Sequence, residues 1–408
     1  MKIAYITAQT PWGRGETFIM EEMIEMKHQG IDLLIIPRNP PKEVFHKEAK
    51  ELFENSIWSP MIKLGIIAEC FLTLFSNFTL WRILWKILRN SRNPQIIMKN
   101  LIVFPKGIFI AKRLKKTGVS HLHAHWGSTT ATIAYIISQF TNISWSFTLH
   151  RWDIYENNMM DEKVKSASFV RCISQNGKDD LLRIIGSKYA DKVQVVHMGV
   201  KLSSIDKTLG ASRFNNWDNP DKKFVFIVPA NLVLVKGHKY LIDAFSLLLQ
   251  NEVKNFYVIF YGNGPLRKKL QEYIIDKRVE EYIEMPGALP HNELTNLYKN
   301  GNVDAVILPS INTKDGEHEG IPVALMEAMA YSIPVISTNT GGIPELIGDG
   351  SGIMVEEKNA EAIVDALERL IKDKDYRYEI GRKGRLKVEK EFDIEKNVRN
   401  LIRVIKEI

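Results

Sequence analysis

Short apolar runs recur along the chain, each about six residues long and each closed by a turn signal or followed by a helical pattern. In the first half they fall at 3–8, 32–37, 121–126, 144–149, 169–174 and 193–198, with a helical pattern at 17–27. That rhythm predicts β-α-β units and a mostly parallel sheet. Residues 203–223 interrupt it: they are polar, carry Gly, Asn, Asp and Pro, and read as a linker. The alternation then starts afresh, with strands at 224–229, 256–261, 283–285, 305–308, 335–337 and 353–355 and helices at 239–249, 360–372 and 394–408. The expectation is an α/β chain of two doubly wound, Rossmann-like domains, with ligands at the carboxyl ends of the strands and so in a central cleft. The expected boundaries are 1–202, the linker 203–223, 224–385, and a C-terminal segment 386–408 packing back on the first domain.

One stretch of the second domain adds chemistry to the pattern. Glu319-Gly320-Ile321-Pro322-Val323-Ala324-Leu325-Met326-Glu327 sets two carboxylates eight positions apart. Gly320 and Pro322 read as a loop turning into a helix, because proline fits the first helical turn, where its missing N–H costs nothing. Glu319 then lies at the helix mouth and Glu327 about 12 Å further along. A helix start beside a glycine offers free backbone N–H groups and a partial positive charge, which suits a phosphate. Carboxylates flanking it at that separation suit the two ends of a nucleotide-sugar, hexose at one and ribose at the other. The plain alternative is two solvated helix glutamates. The glycine, the proline and the apolar helix core between the carboxylates weigh against it.

Length and composition narrow the field. A chain of 408 residues, 45% hydrophobic and 25% charged, is globular and suits two cores rather than one. Cys70 and Cys172 form neither a disulfide framework nor a zinc spacing, which fits a reducing cytosolic setting. The first apolar run is too short for a signal peptide and reads as a buried strand. Net charge is +7, and its distribution is uneven: residues 1–205 hold 27 Lys+Arg against 17 Asp+Glu, and the remainder 28 against 31. No acidic residue stands between Glu69 and Asp153, a window holding Arg82, Lys86, Arg89, Arg92, Lys99, Lys106, Lys112, Arg113, Lys115 and Lys116. Nucleic acid or an anionic membrane is the usual partner of such a patch.

The longer string from Asp315-Gly316-Glu317-His318-Glu319 to Ala330 resembles the retaining GT-B glycosyltransferases of family 4, most of all bacterial colanic-acid and other exopolysaccharide enzymes. The likeness covers nearly the whole chain. It implies that Glu319 contacts the donor hexose, Glu327 the ribose, and the N–H groups around Gly320, Ile321 and Val323 the diphosphate. Asn231-Leu232-Val233-Leu234-Val235-Lys236-Gly237 resembles the family's G-R-L-x-x-x-K-G loop, in which Lys236 matches the lysine and Asn231 stands in the arginine position. A cation is needed there because charge builds on the leaving diphosphate. Gly262-Asn263-Gly264-Pro265 and Thr340-Gly341-Gly342-Ile343-Pro344-Glu345 resemble two further glycine turns of the family.

In the first domain, Gly13-Arg14-Gly15-Glu16-Thr17-Phe18 follows the first strand, and its glycines would let a loop approach the donor phosphates. By resemblance Gly15 belongs to the donor side and Glu16 and Thr17 to the acceptor side; Arg14, a cation in the same loop, is the candidate to offset the charge missing at Asn231. Ser146 to Asp153 resembles the family strand ending in His, then Asp. This implies that His150 lines the reaction centre and that Asp153 shapes its loop or meets the acceptor. His121, His123 and His125 alternate along one strand and suggest a metal, but no carboxylate cluster accompanies them and the family works without one. No metal or cofactor is expected, and His125 is expected to face the cleft.

Residues 56–90 interleave Trp58, Phe71, Phe75, Phe78, Trp81 and Trp85 with Arg82, Lys86 and Arg89. The charge-free run from Cys70 to Trp81 is too short to span a bilayer. Its composition predicts that the segment 56–116 lies in the interface of an anionic membrane, against the plain reading of interior packing. The combined expectation is a cytoplasmic, membrane-peripheral enzyme with catalytic residues Glu319, His150 and Lys236. It would move a hexose from a nucleotide-sugar, UDP-linked, to a polyprenyl-diphosphate-linked glycan. Two other readings remain open: a nucleotide-sugar epimerase of the same fold, and a non-catalytic nucleic-acid-binding protein.

Overall fold

A computed structural model describes residues 1–12, 16–41, 49–202, 205, 222–314 and 318–407. The chain divides into two compact units, Met1–Met198 with Ile394–Ile408, and Gly199–Asp393.

The first unit runs β1 (Lys2–Thr7), α1 (Thr17–His28), β2 (Asp32–Pro37), α2 (Lys50–Phe53), α3 (Leu64–Ser76), α4 (Phe78–Asn90), α5 (Pro94–Leu114), β3 (His121–His125), α6 (Thr129–Thr141), β4 (Ser144–Leu149), α7 (Arg151–Glu156), α8 (Met160–Ser166), β5 (Phe169–Cys172), α9 (Gln175–Ile185) and β6 (Val193–Val195). Its strands pair in parallel in the order β2-β1-β3-β4-β5-β6. Burial on both faces explains why they read as near-continuous apolar runs. The order reverses between β1 and β3, and the described residues between β2 and β3 build the helices α2 to α5. That reversal opens a crevice at the strands' carboxyl ends.

The second unit runs β7 (Phe224–Pro229), α10 (His238–Gln250), β8 (Phe256–Tyr261), α11 (Arg267–Asp276), β9 (Ile283–Gly287), α12 (His291–Lys299), β10 (Ala305–Leu308), α13 (Val323–Ala330), β11 (Val335–Thr338), α14 (Ile343–Ile347), β12 (Ile353–Val355), α15 (Ala360–Lys372) and α16 (Lys374–Glu391). Its parallel order is β12-β11-β10-β7-β8-β9, with the reversal between β7 and β10. Counted from its own first strand this is the 3-2-1-4-5-6 dinucleotide-fold order.

The last helix, α17 (Ile394–Lys406), belongs to the first unit. It buries Ile394, Val398, Leu401 and Ile405 in one apolar cluster with Ile3, Tyr5, Ile19 and Met23. The return lies at 394 rather than the expected 386 because α16 is anchored in the second unit: a Cβ on Gly381 would lie 2.3 Å from the Ser332 carbonyl oxygen. The other boundary falls at Met198 rather than 202, since the Val200 N–H bonds to the Phe392 carbonyl within the second unit. Of the expected linker, 203–204 and 206–221 lie outside the described residues.

Between β2 and β3, α3 and α4 meet at a 109° bend, and among the described residues no single helix is long and apolar enough to cross a membrane. Their aromatics are not interior packing: Phe71, Phe75, Phe78, Trp81 and Trp85 all stand exposed, Phe78 at 92%. The basic window is more internally compensated than its composition implied. Lys86 pairs with Glu162, Lys99 with Glu156, and Lys112 and Arg113 with Glu69. Lys106 is fully buried on three carbonyls. Arg82, Arg89, Arg92, Lys115 and Lys116 are left without a carboxylate partner among the described residues, Arg89 lying over Trp85 and Lys115 over Phe140.

Candidate active site

In the second unit the chemistry gathers where β7 and β10 part. Beyond β7, Asn231 is exposed and the chain makes one tight turn, Leu234–Lys236, before Gly237. Gly237 has φ +67°, and a Cβ there would lie 1.9 Å from the Pro309 carbonyl oxygen, so only glycine lets this loop close over the end of β10. The closure brings the Lys236 Nζ to 2.5 Å from Glu319 Oε2, which also accepts from the Ser310 hydroxyl at 3.1 Å. Glu319 Oε1 has no partner among the described residues. Ser310, fully buried at the end of β10, carried no signal in the sequence.

Gly341, with φ +56°, packs under the same segment: a Cβ there would lie 1.8 Å from the Glu319 carbonyl oxygen. Pro322 is the N-cap of α13 rather than its first residue, with φ −71° and ψ 119°. The Leu325 and Met326 N–H groups bond back to the Pro322 carbonyl. Those of Gly320, Ile321, Val323 and Ala324 have no acceptor among the described residues. Glu327 lies further along α13, and its Oε1 is 2.8 Å from His291 Nε2, a partner 36 positions away that spacing could not reveal. Asp315, Gly316 and Glu317 lie outside the described residues.

The first unit's candidate residues form a buried hydrogen-bonded ladder. His121 bonds Ser144 and Ser146, and His123 bonds Ser146 and Thr148. His125 bonds the Tyr5 hydroxyl through Nδ1 at 2.9 Å and His150 Nε2 through Nε2 at 2.7 Å. Every ring nitrogen of the strand trio is therefore engaged in a hydrogen bond, which is not how metal ligands are presented. Burial holds all of them neutral: His121 titrates near 4, His123 and His125 lie well below the usual range, and His150 falls to about 3, helped by Arg171.

The direction of the protons follows from Glu22. That carboxylate pairs with Arg171 at 2.6 Å, both almost fully buried, and accepts from the Tyr5 hydroxyl at 2.6 Å. Tyr5 has one proton, so it accepts from His125 Nδ1–H. His125 Nε2 is then an acceptor and His150 Nε2–H the donor, which leaves His150 Nδ1 unprotonated. His125 itself is fully buried and does not face a cleft; it acts on His150. Arg171 was legible only as a charge inside an apolar strand, and Tyr5 and Glu22 carried no signal.

Asp153 is also fully buried. It accepts from the His150 N–H at 3.1 Å, with its carboxyl raised to about 7 by burial, so it shapes the start of α7 and is not presented to a ligand. Glu16 brackets the loop after β1, accepting from the Gln9 and Thr10 N–H groups, the Thr10 hydroxyl and Trp126 Nε1–H. It lines a cavity, but its oxygens are already spoken for. Gly15 and Arg14, and the side chain of Thr17, lie outside the described residues.

Residues 212–387 match the family described as Glycosyl transferases group 1. A colanic acid biosynthesis glycosyltransferase by name, WcaL of Escherichia coli, is 35% identical over 50% of this chain and 48% of its own length. The amylovoran biosynthesis glycosyltransferase AmsK of Erwinia amylovora is 30% identical over 64% of this chain and 63% of its own. The chain thus spans about half the length of the first of these relatives. Among solved structures, Alr3699/HepE of Anabaena in complex with UDP aligns over 100% of both chains with a TM-score of 0.71 at 14% identity. The galactosyltransferase WaaB of the lipopolysaccharide outer core aligns over 100% of this chain and 99% of its own, with a TM-score of 0.67 at 18% identity. The chain therefore carries a glycosyl transferases group 1 domain on a GT-B fold.

Proposed function

We propose that this protein is a retaining hexosyltransferase of exopolysaccharide assembly. It takes a hexose from a nucleotide-sugar, UDP-linked, and passes it to a lipid-linked oligosaccharide at the inner face of the plasma membrane. The observation that carries the reading is the Lys236–Glu319 pair beside the unpartnered N–H groups of Gly320 to Ala324, at the β7/β10 reversal of a glycosyl transferases group 1 domain. The UDP and UDP-glucose complexes of HepE, a protein of the same fold, support a UDP donor.

In this reading the donor diphosphate lies across the N–H groups at the start of α13. Lys236 and those dipoles take up the negative charge that grows on the leaving group. Glu319 holds Lys236 in place through Oε2 and offers Oε1 to the hexose, and Glu327 takes the ribose. The acceptor hydroxyl attacks from the face the diphosphate leaves, and the departing phosphate takes its proton, so the anomeric configuration is retained. Cationic and N–H groups supply the electrostatic work, and transfer needs no metal. The exposed aromatics of α3 and α4, with Arg82 and Arg89 on the same helix pair, support a membrane-peripheral location.

A panel of nucleotide-sugars, followed by nucleoside diphosphate release with and without lipid-linked acceptor, tests the proposal. The expected result is acceptor-dependent UDP release that persists in EDTA. Full turnover by Glu319→Ala would overturn the mechanism, and acceptor-independent sugar interconversion would replace it with an epimerase. For the membrane, flotation with phosphatidylglycerol-containing vesicles should carry the wild type, and the pair Phe75→Asp with Phe78→Asp should abolish it.

A further inference from the structure

The first unit holds a cavity of about 720 Å³ at its own chain reversal, between the loops that follow β1 and β3. That is the size and place of a ligand site in a doubly wound sheet. One side of it is polar, with Arg38, Ser128 and Thr129; the other is apolar, with Met61, Ile102 and Val103.

Arg38 is the unusual member. Its Nη1 donates to the Thr129 hydroxyl at 2.6 Å, its Nε is buried with no partner, and no described carboxylate lies within ion-pair distance. Directly behind it, the fully buried Lys106 ammonium donates to the carbonyls of Pro37, Arg38 and Ser59, and again no carboxylate neutralises it. Burial, and secondarily Arg38, pushes Lys106 down to about 7. Arg38 feels the carboxylates of Glu16 and Glu156, but neither forms an ion pair with it, so a desolvated guanidinium with an idle Nε makes a wall that an anionic ligand would complete. The carboxylate of the same cavity, Glu16, is spent on four donors of its own loop.

The apolar side leads outward. Met61 lines the cavity, while Ile62 just after it and Leu64, the first residue of α3, are exposed, Leu64 at 84%. On α5, Ile102 lines the cavity and Met98 and Leu101 beside it stand open. An anion-seeking wall facing an apolar path to a helix pair covered in exposed aromatics is the complement of one ligand chemistry, a phosphate ester on a long hydrocarbon chain.

We infer that this cavity binds the phosphorylated end of a long-chain isoprenyl lipid, with Arg38 on the phosphate and Met61, Ile102 and Val103 along the chain. The inference rests on the proposed lipid-linked acceptor and says where that acceptor is held.

The test titrates the full chain with farnesyl phosphate below its micelle concentration, following the fluorescence of Trp126 and Trp152 in the cavity wall. Farnesol and inorganic phosphate are titrated alongside, and UDP separately. Wild type should bind farnesyl phosphate at least about tenfold more tightly than either fragment. Arg38→Ala should lose about tenfold, Arg38→Lys should recover part of it, and Ile102→Asp, on the partly exposed wall, should weaken it too. UDP affinity should stay at the wild-type value in all three, and an unchanged far-UV circular dichroism spectrum and melting transition of the first unit shows that they fold. Equal affinity of Arg38→Ala and wild type, or farnesol binding as well as farnesyl phosphate, would overturn the inference. If UDP binds and turns over while farnesyl phosphate does not bind, the inference falls and the enzyme reading stands. If farnesyl phosphate binds through Arg38 but no nucleotide-sugar is consumed, the reverse holds.

Discussion

The two units place their polar chemistry at the same topological point and treat it in opposite ways. At the β7/β10 reversal, a cation and a carboxylate share one hydrogen bond while four backbone N–H groups and a second carboxylate oxygen stay open. Along β3 and at its carboxyl end, four histidines, a tyrosine, a glutamate and an arginine are hydrogen-bonded to each other or to serine, threonine and backbone neighbours, deep in the core. The first arrangement is built to receive charge from outside. The second is built to hold one imidazole, His150, in one proton state. A polar group left open at a loop points to a ligand, whereas a satisfied buried network points to positioning.

The largest effect should come from the buried side of that contrast. Arg171→Met leaves Glu22 buried without its ion partner, which costs about 3–5 kcal/mol of stability. Chemical denaturation should show the loss in the first unit's transition. The tryptophans report on that unit, since all of them except Trp217 lie in it. Lys236→Ala should do the opposite: transfer falls about 10²–10³-fold with little change in stability, because the removed cation sits in an open site. A Lys236→Ala protein that unfolds readily, or an Arg171→Met protein as stable as wild type, would erase the distinction drawn between the two.

Acid should separate the units next. His121 near 4 and His150 near 3, with His123 and His125 also held low by burial, are neutral in the folded first unit, whereas in the second His238, near 4, is such a group. A depressed folded pKa means the unfolded chain takes up protons that the folded one refuses. That stability is present above about pH 6.5 and is lost as pH falls toward 4, by roughly 1.4 kcal/mol per pH unit for each histidine. Asp153, raised to about 7, has the opposite sign: its contribution is present at low pH and lost as pH rises through 7, so it offsets about one histidine. The first unit should still melt first as pH falls from 6.5 to 4.5. Thermal scans followed by tryptophan fluorescence and by far-UV circular dichroism should diverge over that range.

The open site was the more legible of the two in the sequence. Lys236-Gly237, Gly341-Gly342 and the Glu319–Glu327 spacing announce themselves because close backbone approach demands glycine and phosphate demands a cation, and both leave residue types at fixed local spacing. Strand positions were readable for a similar reason, since a sheet buried on both faces requires apolar runs: 224–229, 256–261 and 305–308 coincide with β7, β8 and β10. The buried network left little trace. Tyr5, Glu22, His125 and Arg171 come from four elements, and only the sheet order brings them together. Burial was legible in one place and not in another: His125, expected at a cleft, is enclosed, while the aromatics of α3 and α4, expected to lie outside the core, are exposed. A window's charge count could not show that Lys86, Lys99, Lys112 and Arg113 find carboxylates outside it.

The smallest effect tests the positioning claim itself. Tyr5→Phe removes one oxygen from the core. Glu22 loses a donor, though Arg171 still compensates it, and His125 Nδ1 loses its acceptor. A stability loss of about 1–2 kcal/mol should accompany the missing hydrogen bond. The more telling change is in the imidazoles. Without Tyr5, His125 Nδ1 keeps Glu22 Oε1 at 3.8 Å, too long for a hydrogen bond, so Nδ1–H is less strongly favoured over Nε2–H and the partner proton on His150 is less firmly confined to Nε2. Nitrogen-15 chemical shifts should show His150 as a single Nε2–H tautomer in the wild type and as a mixture in the variant. kcat should fall a few-fold with KM for the nucleotide-sugar unchanged, because Lys236 and Glu319, the proposed anchors of the donor, lie in the other unit. An unchanged tautomer would mean that His150 is held by something other than His125. A raised KM with the tautomer shifted as expected would place His150 in donor binding rather than in the reaction step.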